Sequence, residues 1–570
     1  MIDKLKKTIA KAIKAQGIEN PIVNIEHPED NTFGDFSSNV SLIYSKQLKV
    51  NSKELAEKII VELKKDFENE VKSIEIAGPC FINIKMKEDY FYKAIIDINN
   101  LGADVGKISI DANKKIMVEF TDPNPFKIFH IGHLMANTIG ESLSRVVEFS
   151  NAKVIRACYQ GDVGLHVAKT MWAILKNKAN FSNENLPLND RIKFLGDMYV
   201  IGTEKYEIDI EAKKEITDIN KKIFEKSDAE INIYYKKGRD WSLEYFDTIY
   251  KKLGTKFDEF YFESEVSESG AKIVKELLKK GVFENSEGAI IFPGEKYGEH
   301  TRVFINSQNL PTYEAKEIGL TMRKFEQFPD LAESIVVTAN EQNAYFKVVI
   351  AALNIIDSNI AKKVKHLSHG LLRPASGKMS SRKGNVVSAD IFLEEFESLV
   401  DEKLKDRNFT KDEHEEIRQM IAIAALKYTV LRQAIGGDII YDPQKAISFE
   451  GDSGPYLQYS TVRANAVLIK AKEAGITEAF VNEGQDVGLF EKLLIRFPEV
   501  VERSRLDYAP HHIVTYLTNL SSEFNSYYAN NKIINADDPL SPYRVLLTKV
   551  FVQIMKNGLW ILGIKVPNRM

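Results

Sequence analysis

The spacing of apolar residues at the start of the chain predicts a small mixed domain. Apolar residues recur at helical spacing through residues 1–16, and a second helix is predicted over residues 52–69. A short apolar run at residues 81–84 has the pattern of a strand. A charged, helical connector follows it. Residues 1–110 are therefore predicted to form an α+β domain with its connector.

A different pattern begins at residue 115. The apolar run 115–121 is followed by two prolines and then by a long helical pattern that reaches Val147. A second strand is predicted at residues 154–157. Strand, glycine-bearing turn, helix and strand together predict a parallel βαβ unit. Ligands of such sheets bind beyond the carboxyl ends of the strands, so the turn after the first strand is a candidate site.

The rest of the chain is charged and helical in two long stretches. Residues from about 170 to 290 predict a helical insertion rather than part of a sheet. Strand character returns at residues 289–292, 301–305 and 335–338. From about residue 395 onward the pattern is helical almost throughout, which predicts a C-terminal helical domain.

Composition and charge narrow the class of protein. A chain of 570 residues is long enough for several domains. Its net charge of −4 is unlike that of a general nucleic-acid coat protein, so contacts with RNA have to come from local patches. Cys80 and Cys158 form no C-x-x-C pair, which fits a reducing cytoplasm and no thiolate zinc site. No apolar run reaches the roughly 18 residues that a membrane span needs.

The turn after the first predicted strand of the βαβ unit contains His130-Ile131-Gly132-His133. Two histidines three residues apart share one face of a helix start, where free backbone amides favour an anion. Gly132 allows a phosphate to approach the backbone, and the imidazoles can donate to charge that develops at the α-phosphorus. A metal pair or two structural histidines are the alternatives, although zinc hydrolases have a glutamate inside this spacing and this chain does not.

A second basic segment contains Lys378-Met379-Ser380-Ser381-Arg382 between two glycines. Its cations, hydroxyl groups and glycines suit a loop that binds phosphate. It is not a P-loop, because Gly370 precedes Gly377 by seven residues instead of five and Met379 occupies the hydroxyl position. A solvated basic loop is the alternative.

The two segments, in this order around a βαβ unit, resemble the paired ATP signatures of class I aminoacyl-tRNA synthetases. The resemblance implies an α/β fold with a Rossmann-like catalytic domain at residues 111–390 and the insertion at about 170–290. It also implies a helical anticodon-binding domain at residues 391–570 and an N-terminal domain, residues 1–110, that binds the tRNA elbow. The implied ATP-binding residues are His130, Gly132, His133, Lys378, Met379 and Ser380. Of these, His130, His133 and Lys378 would be catalytic, together with Lys127.

Longer blocks resemble the arginine-specific branch of this family, in that branch's own order. They lie at residues 118–125, 161–164, 312–317, 341–342, 381–387, 454–459 and 568–570. The arginine-binding residues implied by this resemblance are Glu119, Asn124, Tyr313, Glu317 and Gln342. A guanidinium needs planar acceptors, and two carboxylates would reject neutral isosteres. The alternative is an ordinary surface carboxylate for Glu119 and a position on a charged helix for Glu317, and it is a core or surface position for Tyr313 and Gln342.

The chain departs from the family pattern at four positions. Glu317 stands where the family usually has aspartate, one methylene shorter, which leaves the depth of the pocket open. Tyr345 replaces a common histidine, and Ser37 replaces a glutamine in the turn of the N-terminal domain. Ser381 replaces the second lysine of the generic loop, and Lys127 would supply the missing charge.

Aromatic residues are the candidates for contacts with tRNA, because unpaired bases stack on aromatic rings. In the C-terminal domain the resemblance implies Tyr456, Tyr459, Tyr528 and Met570. In the N-terminal domain it implies Phe33 and Phe36. A half-buried core position is the alternative for each tyrosine.

The expected reaction is the ligation of L-arginine to tRNA(Arg) through an arginyl-adenylate, with ATP as substrate, Mg²⁺ on its phosphates and no zinc. The protein is expected to be a cytoplasmic monomer that binds neither DNA nor a membrane. Two other readings are a small-molecule nucleotidyltransferase with the same H-x-G-H signature and a synthetase-derived RNA-binding protein without catalysis. The helical C-terminal domain argues against the first, and the intact signatures argue against the second.

Overall fold

The structure is a computed structural model that describes residues 1–181, 186–375, 388–481 and 486–570. The chain divides into two compact units. The first unit comprises residues 1–105, 467–496 and 527–551, and the second comprises residues 106–466, 497–526 and 552–570. The predicted phosphate-binding loop, Lys378 to Arg382, lies outside the described residues.

The N-terminal part of the first unit has a three-stranded antiparallel sheet. Its elements are α1 (Ile2–Lys14), β1 (Phe36–Ser38), α2 (Val40–Leu48), α3 (Ser52–Asp66), β2 (Val71–Ala77), β3 (Phe81–Met86) and α4 (Glu88–Leu101). The strand order is β1-β3-β2. The helical repeat of Leu5, Ile9 and Ile13 on α1 packs into one core with Leu55 and Ile59 of α3. The predicted α+β fold of this part of the chain is confirmed.

The second unit contains a five-stranded parallel sheet of order β11-β10-β4-β5-β6. Its first elements are β4 (Lys115–Glu119), α5 (Ile131–Phe149), β5 (Lys153–Gln160), α6 (Leu165–Lys176), α7 (Lys178–Phe181), α8 (Leu188–Ile208), α9 (Ile210–Glu225), α10 (Ala229–Leu253) and β6 (Glu259–Phe262). Strand β4 is central and almost fully buried, as a strand covered on both faces should be. The predicted parallel βαβ unit is confirmed as β4, α5 and β5.

The expectation that residues 170–290 form an insertion rather than part of a sheet is wrong at two places, because β6 joins the parallel sheet and Glu284–Ser286 is a strand of a small antiparallel sheet. Strand β6 lies in this stretch and pairs in parallel with β5. Its sequence, Glu259-Phe-Tyr-Phe262, is only four residues long and follows a charged stretch, so it gives no clear strand pattern. The helices α6 to α10 fill the rest of the connection between the two strands.

The next part of the chain forms a small separate sheet and then adds two more strands to the parallel sheet. Its elements are α11 (Glu263–Lys279), β7 (Glu284–Ser286), β8 (Ala289–Phe292), β9 (Arg302–Ile305), α12 (Tyr313–Gln327), β10 (Leu331–Ala339), α13 (Asn343–Ile356), α14 (Ser358–Lys363), β11 (Val364–His369) and β12 (Leu372–Pro374). Strands β7, β8 and β9 form an antiparallel sheet of their own. Only β10 of the strands predicted from this part of the sequence joins the parallel sheet, where it pairs with β4 and β11.

The C-terminal region is helical, as predicted. Its elements are α15 (Ala389–Leu404), α16 (Lys411–Leu431), β13 (Ile439–Tyr441), α17 (Pro443–Ala446), α18 (Gly454–Glu473), α19 (Leu489–Leu494), α20 (Phe497–Leu506), α21 (His511–Asn530) and α22 (Ser541–Ile561). The short strand β13 pairs with β12. Across the described ranges, no helix is long and apolar enough to span a membrane.

The buried Lys427 and the half-buried Arg145 hold helix ends together in the second unit. The Lys427 ammonium donates to the carbonyl oxygens of Leu253 and Gly563, each at 2.7 Å. Arg145 on α5 donates to the carbonyl oxygens of Trp560 and Gly254 at 2.7 and 3.1 Å. The last carbonyls of a helix lack partners within the helix, so these cations satisfy them and complement the helix dipole. The helix that follows the candidate site turn is thereby fixed to its neighbours.

Replacing Lys427 by methionine should destabilise the second unit. The change leaves the Leu253 and Gly563 carbonyl oxygens buried without a donor, and we expect a loss of about 2–4 kcal/mol in the free energy of unfolding. Urea unfolding followed by circular dichroism measures this. Lys411→Met is the matched control, because Lys411 is exposed on the same helix. Equal stabilities of the two variants would contradict the role of Lys427.

Candidate active site

The backbone after β4 forms an unusual turn. Thr121 and Asp122 have positive φ angles of 81° and 45°, which side-chain-bearing residues rarely adopt. The Asp122 carboxylate accepts a hydrogen bond from the Tyr159 backbone amide at 2.7 Å. Asn137 of α5 donates to the Thr121 hydroxyl at 3.0 Å. Bonds from β5 and α5 therefore hold the turn in this conformation.

The turn brings Asn124 against the end of β5. A Cβ atom at Gly161 would lie 2.2 Å from the Asn124 side-chain oxygen. A side chain at position 161 would therefore displace the Asn124 amide from this place. The amide of Asn124 consequently lies at the carboxyl ends of two neighbouring parallel strands.

The two histidines cap the start of α5. The Gly132 amide donates to His130 Nδ1 at 3.1 Å, and the His130 amide donates to His133 Nδ1 at 3.2 Å. The rings are stacked with centroids 3.6 Å apart. Because each Nδ1 accepts a hydrogen bond, each neutral ring carries its proton on Nε2.

Burial keeps both rings neutral. It lowers the pKa of His130 to about 4, and the Lys127 ammonium contributes to the shift. It also lowers the pKa of His133 well below its usual value, with smaller contributions from His130 and Lys127. At neutral pH the two imidazoles are therefore uncharged Nε2–H donors, which can stabilise an anion without bringing a proton of their own into play.

Two buried carboxyl groups line the same cleft. Glu119 ends β4, Glu317 lies on α12, and both side chains are buried. Burial and the nearby Glu119 charge raise the pKa of Glu317 to about 7, and the Lys324 charge partly opposes this shift. The Tyr345 hydroxyl lies 3.4 Å from Glu317 Oε2 and 3.1 Å from the Tyr313 carbonyl oxygen. Such a site favours a ligand that brings a positive charge, because the buried carboxyl groups then have a partner.

One cleft of about 310 Å³ contains most of the predicted binding residues. The predicted residues that line it are Glu119, Asn124, His130, Gly132, His133, Tyr313, Glu317 and Gln342. They lie at the carboxyl ends of the parallel strands and at the start of α5 and α12. The volume is at the lower end of the range for small-molecule sites.

The predictions for Lys127 and for the loop that begins at Lys378 differ from these in outcome. Lys127 is not among the residues that line the cleft, and its ammonium lies 5.3 Å from the centre of the Tyr199 ring. Burial lowers its pKa, although Glu263 opposes the shift. Lys378, Met379 and Ser380 lie outside the described residues.

Several residues of the cleft were not predicted from the sequence. Glu263 lines it and forms an ion pair with Lys316 at 2.5 Å, and both side chains are 4% exposed. Lys324 lies behind the cleft, 2.6 Å from Glu119 Oε2. Glu263 directly follows β6, so recognition of that strand would have pointed to it. Lys324 is two helical turns after Glu317, a spacing that could have marked a shared face.

A second cavity, of about 460 Å³, lies among the C-terminal helices of the second unit. Of the residues predicted to contact tRNA, Tyr456, Tyr459 and Met570 line it. Arg463 stacks over the Tyr459 ring at 4.6 Å and donates to its hydroxyl at 2.8 Å. Asn525 accepts from Arg463 at 3.0 Å and donates to the Tyr456 hydroxyl at 3.1 Å. The cavity thus combines aromatic faces with a cation, as sites for unpaired bases do.

The remaining predicted tRNA contacts lie in the first unit. Phe33 is 53% exposed and Tyr528 is 41% exposed, so both rings can meet a partner. The prediction for Phe36 is wrong: its side chain is 1% exposed and packs against the His27 ring at 5.0 Å. Phe36 begins β1 and points into the core of the sheet, because side chains alternate along a strand.

The comparison with known families covers nearly the whole chain. Residues 97–442 match the model of the class I (R) tRNA synthetase catalytic domain. Residues 3–86 match the arginyl-tRNA synthetase N-terminal domain, and residues 457–570 match the DALR anticodon-binding domain. The arginine–tRNA ligase of Borrelia hermsii is 31% identical over 99% of both chains. The chain belongs to the arginyl-tRNA synthetase family.

Further arginyl-tRNA synthetases resemble the chain over its full length. The arginine–tRNA ligase of Clostridium perfringens is 30% identical over 99% of this chain and 100% of its own. The solved arginyl-tRNA synthetase of Thermus thermophilus has a TM-score of 0.79 at 22% identity, with full coverage of both chains. That of Plasmodium falciparum has the same TM-score at 19% identity, covering 100% of this chain and 99% of its own. At these identities the two structures support the fold alone.

Three buried or half-buried histidines of the second unit predict a loss of stability in mild acid. Burial lowers the pKa of His130 and His366 to about 4 and that of His166 to about 3, from an ordinary value of 6.5. The unfolded chain then binds protons that the folded chain does not, so stability is complete above pH 6.5 and falls as the pH drops toward 4. Thermal unfolding midpoints between pH 7.5 and 4.5 measure this fall.

The His130→Asn variant isolates one contribution to this fall. Asparagine can still cap α5 but does not titrate, so the midpoint should fall less steeply with pH than in the unmodified chain. His300→Asn is the matched control at an exposed position and should leave the slope unchanged. A slope for His130→Asn equal to that of the control would show that His130 is not held neutral.

Proposed function

We propose that the cleft at the start of α5 catalyses the ATP-dependent ligation of L-arginine to tRNA(Arg) through an arginyl-adenylate. The observation that carries this proposal is that two buried carboxyl groups and two neutral imidazole donors line the same cleft. The first pair suits a cationic side chain, and the second suits a phosphate. Membership of the arginyl-tRNA synthetase family supports the same assignment.

The arginine side chain would enter between β4 and α12. Its guanidinium has planar, paired donors that match carboxylates, and Glu119 and Glu317 supply these from opposite sides. Tyr313 and Gln342 would complete the wall of the pocket. Asn124 would hold the α-amino or carboxylate end of the substrate, since it lies toward the histidines. A neutral isostere would leave the carboxyl groups without a partner.

ATP would bind with its α-phosphate near the start of α5. The amides at this helix end and the two Nε2–H groups are donors for its oxygens. Mg²⁺ would enter as the ATP complex and stay on the phosphate oxygens, since the described ranges contain no group of three acidic, histidine or cysteine side chains placed to hold a metal. Lys378 and its neighbours would neutralise the outer phosphates, as the family resemblance implies.

The reaction has two steps. An oxygen of the arginine carboxylate attacks the α-phosphorus, and the bond from that phosphorus to the bridging oxygen of pyrophosphate breaks. His130 and His133 donate to the charge on the α-phosphoryl oxygens as it grows. In the second step, a terminal ribose hydroxyl of tRNA attacks the carbonyl carbon and AMP leaves. No protein nucleophile is needed, because the side chains position the substrates and stabilise charge.

The tRNA would meet two described surfaces. We propose that the cavity lined by Tyr456, Tyr459 and Met570 takes an unpaired anticodon base, with Arg463 over the ring stack. Phe33 and Tyr528 are exposed aromatic contacts in the first unit. The division into domains at residues 110 and 390 is part of this proposal, although the catalytic family model extends to residue 442. A cytoplasmic monomer is proposed on the same grounds.

Replacing Glu119 by glutamine should weaken arginine binding selectively. The amide cannot pair with a guanidinium as a carboxylate does, so we expect the KM for arginine to rise about 10- to 100-fold, with the KM for ATP changed less than about twofold. Steady-state aminoacylation with total tRNA measures both. Glu326→Gln, at an exposed site on α12, is the control and should change neither value. An unchanged KM for arginine removes Glu119 from the pocket.

Replacing Tyr459 by leucine should weaken the use of tRNA. Loss of one base stack costs about 1–3 kcal/mol, so the KM for tRNA should rise roughly 5- to 100-fold while the KM for arginine stays the same. Tyr297→Leu is a control at a ring that is 45% exposed on the catalytic domain. If both variants use tRNA equally well, the cavity is not a base-binding site.

A further inference from the structure

A buried lysine lies behind the proposed arginine pocket. Lys324 is on α12, seven residues after Glu317, so the two side chains share one face of the helix two turns apart. Its ammonium is 2.6 Å from Glu119 Oε2, and both side chains are 1% exposed. A cation this close to a guanidinium site would repel the substrate unless its charge were matched within the pocket.

We propose that Lys324 is a positioning residue for arginine, because its ammonium holds Glu119 as an oriented carboxylate and leaves Glu317 to balance the substrate charge. Glu119, Glu317 and Lys324 together then offer one negative charge to a single cation. Glu119 keeps one oxygen on Lys324, and its other oxygen can meet the guanidinium. This inference rests on the proposed arginine site.

The charges around the pocket fall into pairs. Glu263 pairs with Lys316 at 2.5 Å, and Glu119 pairs with Lys324 at 2.6 Å. Each pair is buried, so each nearly cancels its own charge. Without Lys324, Glu119 and Glu317 would have no cation between them, and one of the two would hold a proton.

Three acidic residues of the cleft remain after this pairing, namely Asp122, Glu317 and the exposed Glu341. Asp122 accepts a hydrogen bond from the Tyr159 amide, and burial together with the Glu119 charge raises its pKa well above the usual value. Burial and the Glu119 charge therefore favour the uncharged form of Asp122. Glu317 has a pKa of about 7, because burial and Glu119 raise it while Lys324 and the Tyr345 hydroxyl lower it. Glu317 is thus the group that can lose its proton when the substrate binds.

The pairing has a measurable consequence for pH. A guanidinium next to Glu317 favours its ionised form, so arginine binds with release of a proton below about pH 7. If Lys324 is removed, Glu119 and Glu317 repel each other without compensation, and the shared proton leaves only at higher pH. The arginine-binding defect should then shrink as the pH rises. A lysine that served the fold alone would not move this pH dependence.

The test compares three substitutions at this position with the unmodified enzyme. Lys324→Met removes the charge, Lys324→Gln keeps a hydrogen-bond donor without charge, and Lys324→Arg keeps the charge. The quantity measured is kcat/KM for arginine between pH 5.5 and 9, at saturating ATP and tRNA. Arg323→Met is the matched control, because Arg323 is an exposed cation on the same helix.

We expect the acid limb of the Lys324→Met profile to move up by about one pH unit, with a KM for arginine about tenfold higher at pH 7. The KM for ATP should stay within about twofold. Lys324→Arg and Arg323→Met should keep the acid limb of the unmodified enzyme.

A folded Lys324→Met enzyme whose acid limb stays in place overturns the proposal, whatever happens to its KM. If Lys324→Met does not fold, Lys324→Gln decides in the same way. Failure of the proposed arginine site looks different. In that case Glu119→Gln and Glu317→Gln would leave the KM for arginine unchanged, whereas failure of the Lys324 inference leaves their effects intact.

Discussion

The cost of burying an unpaired charge governs the candidate site. Glu119 and Glu317 lie almost out of contact with water, at the end of the central strand and on the helix that faces it. Carboxylates in that position need partners, and the Lys324 ammonium lies 2.6 Å from Glu119. One acidic charge is left for a ligand to balance. A substrate with a planar, permanent cation fits that requirement better than a neutral one.

At the start of α5, burial favours neutral side chains instead of charged ones. There it removes charge from His130 and His133, and the two backbone amides that donate to their Nδ1 atoms leave the proton of each ring on Nε2. One half of the cleft is thus acidic and the other half is a set of neutral donors. An amino acid with a cationic side chain and a nucleotide phosphate can therefore meet in one cavity of about 310 Å³. The parallel sheet supplies this arrangement, since its strands end at a common edge.

The sequence predicted the parts of the site whose signals are local. An apolar strand, a turn with two prolines and a histidine pair at a helix start lie within 15 residues of each other, so the βαβ pattern located the turn, whereas the role of Glu119 at the end of the strand came from family resemblance. Glu317 and Tyr313 came from family resemblance and not from periodicity. Strand β6 was missed because four residues beside a charged stretch give no clear alternation, and Glu263 was missed with it.

Contacts between residues far apart in the sequence, and which side chains of a strand point into the core, could not be predicted in the same way. Lys324 looks like one more surface charge on a charged helix until the fold brings it to Glu119, about 200 residues earlier. Phe33 and Phe36 flank the same turn, and only the pairing of β1 with β3 decides which ring is buried. The contact of Asn525 with Tyr456 likewise joins helices far apart in the chain.

The most direct measurement is a charging assay with each proteinogenic amino acid in turn, using the full chain, total tRNA, ATP and Mg²⁺. Arginine should be the only amino acid that becomes attached to tRNA, with lysine and glutamine at background. Attachment of any other amino acid, or of none, would contradict the assignment of the acidic cleft to arginine.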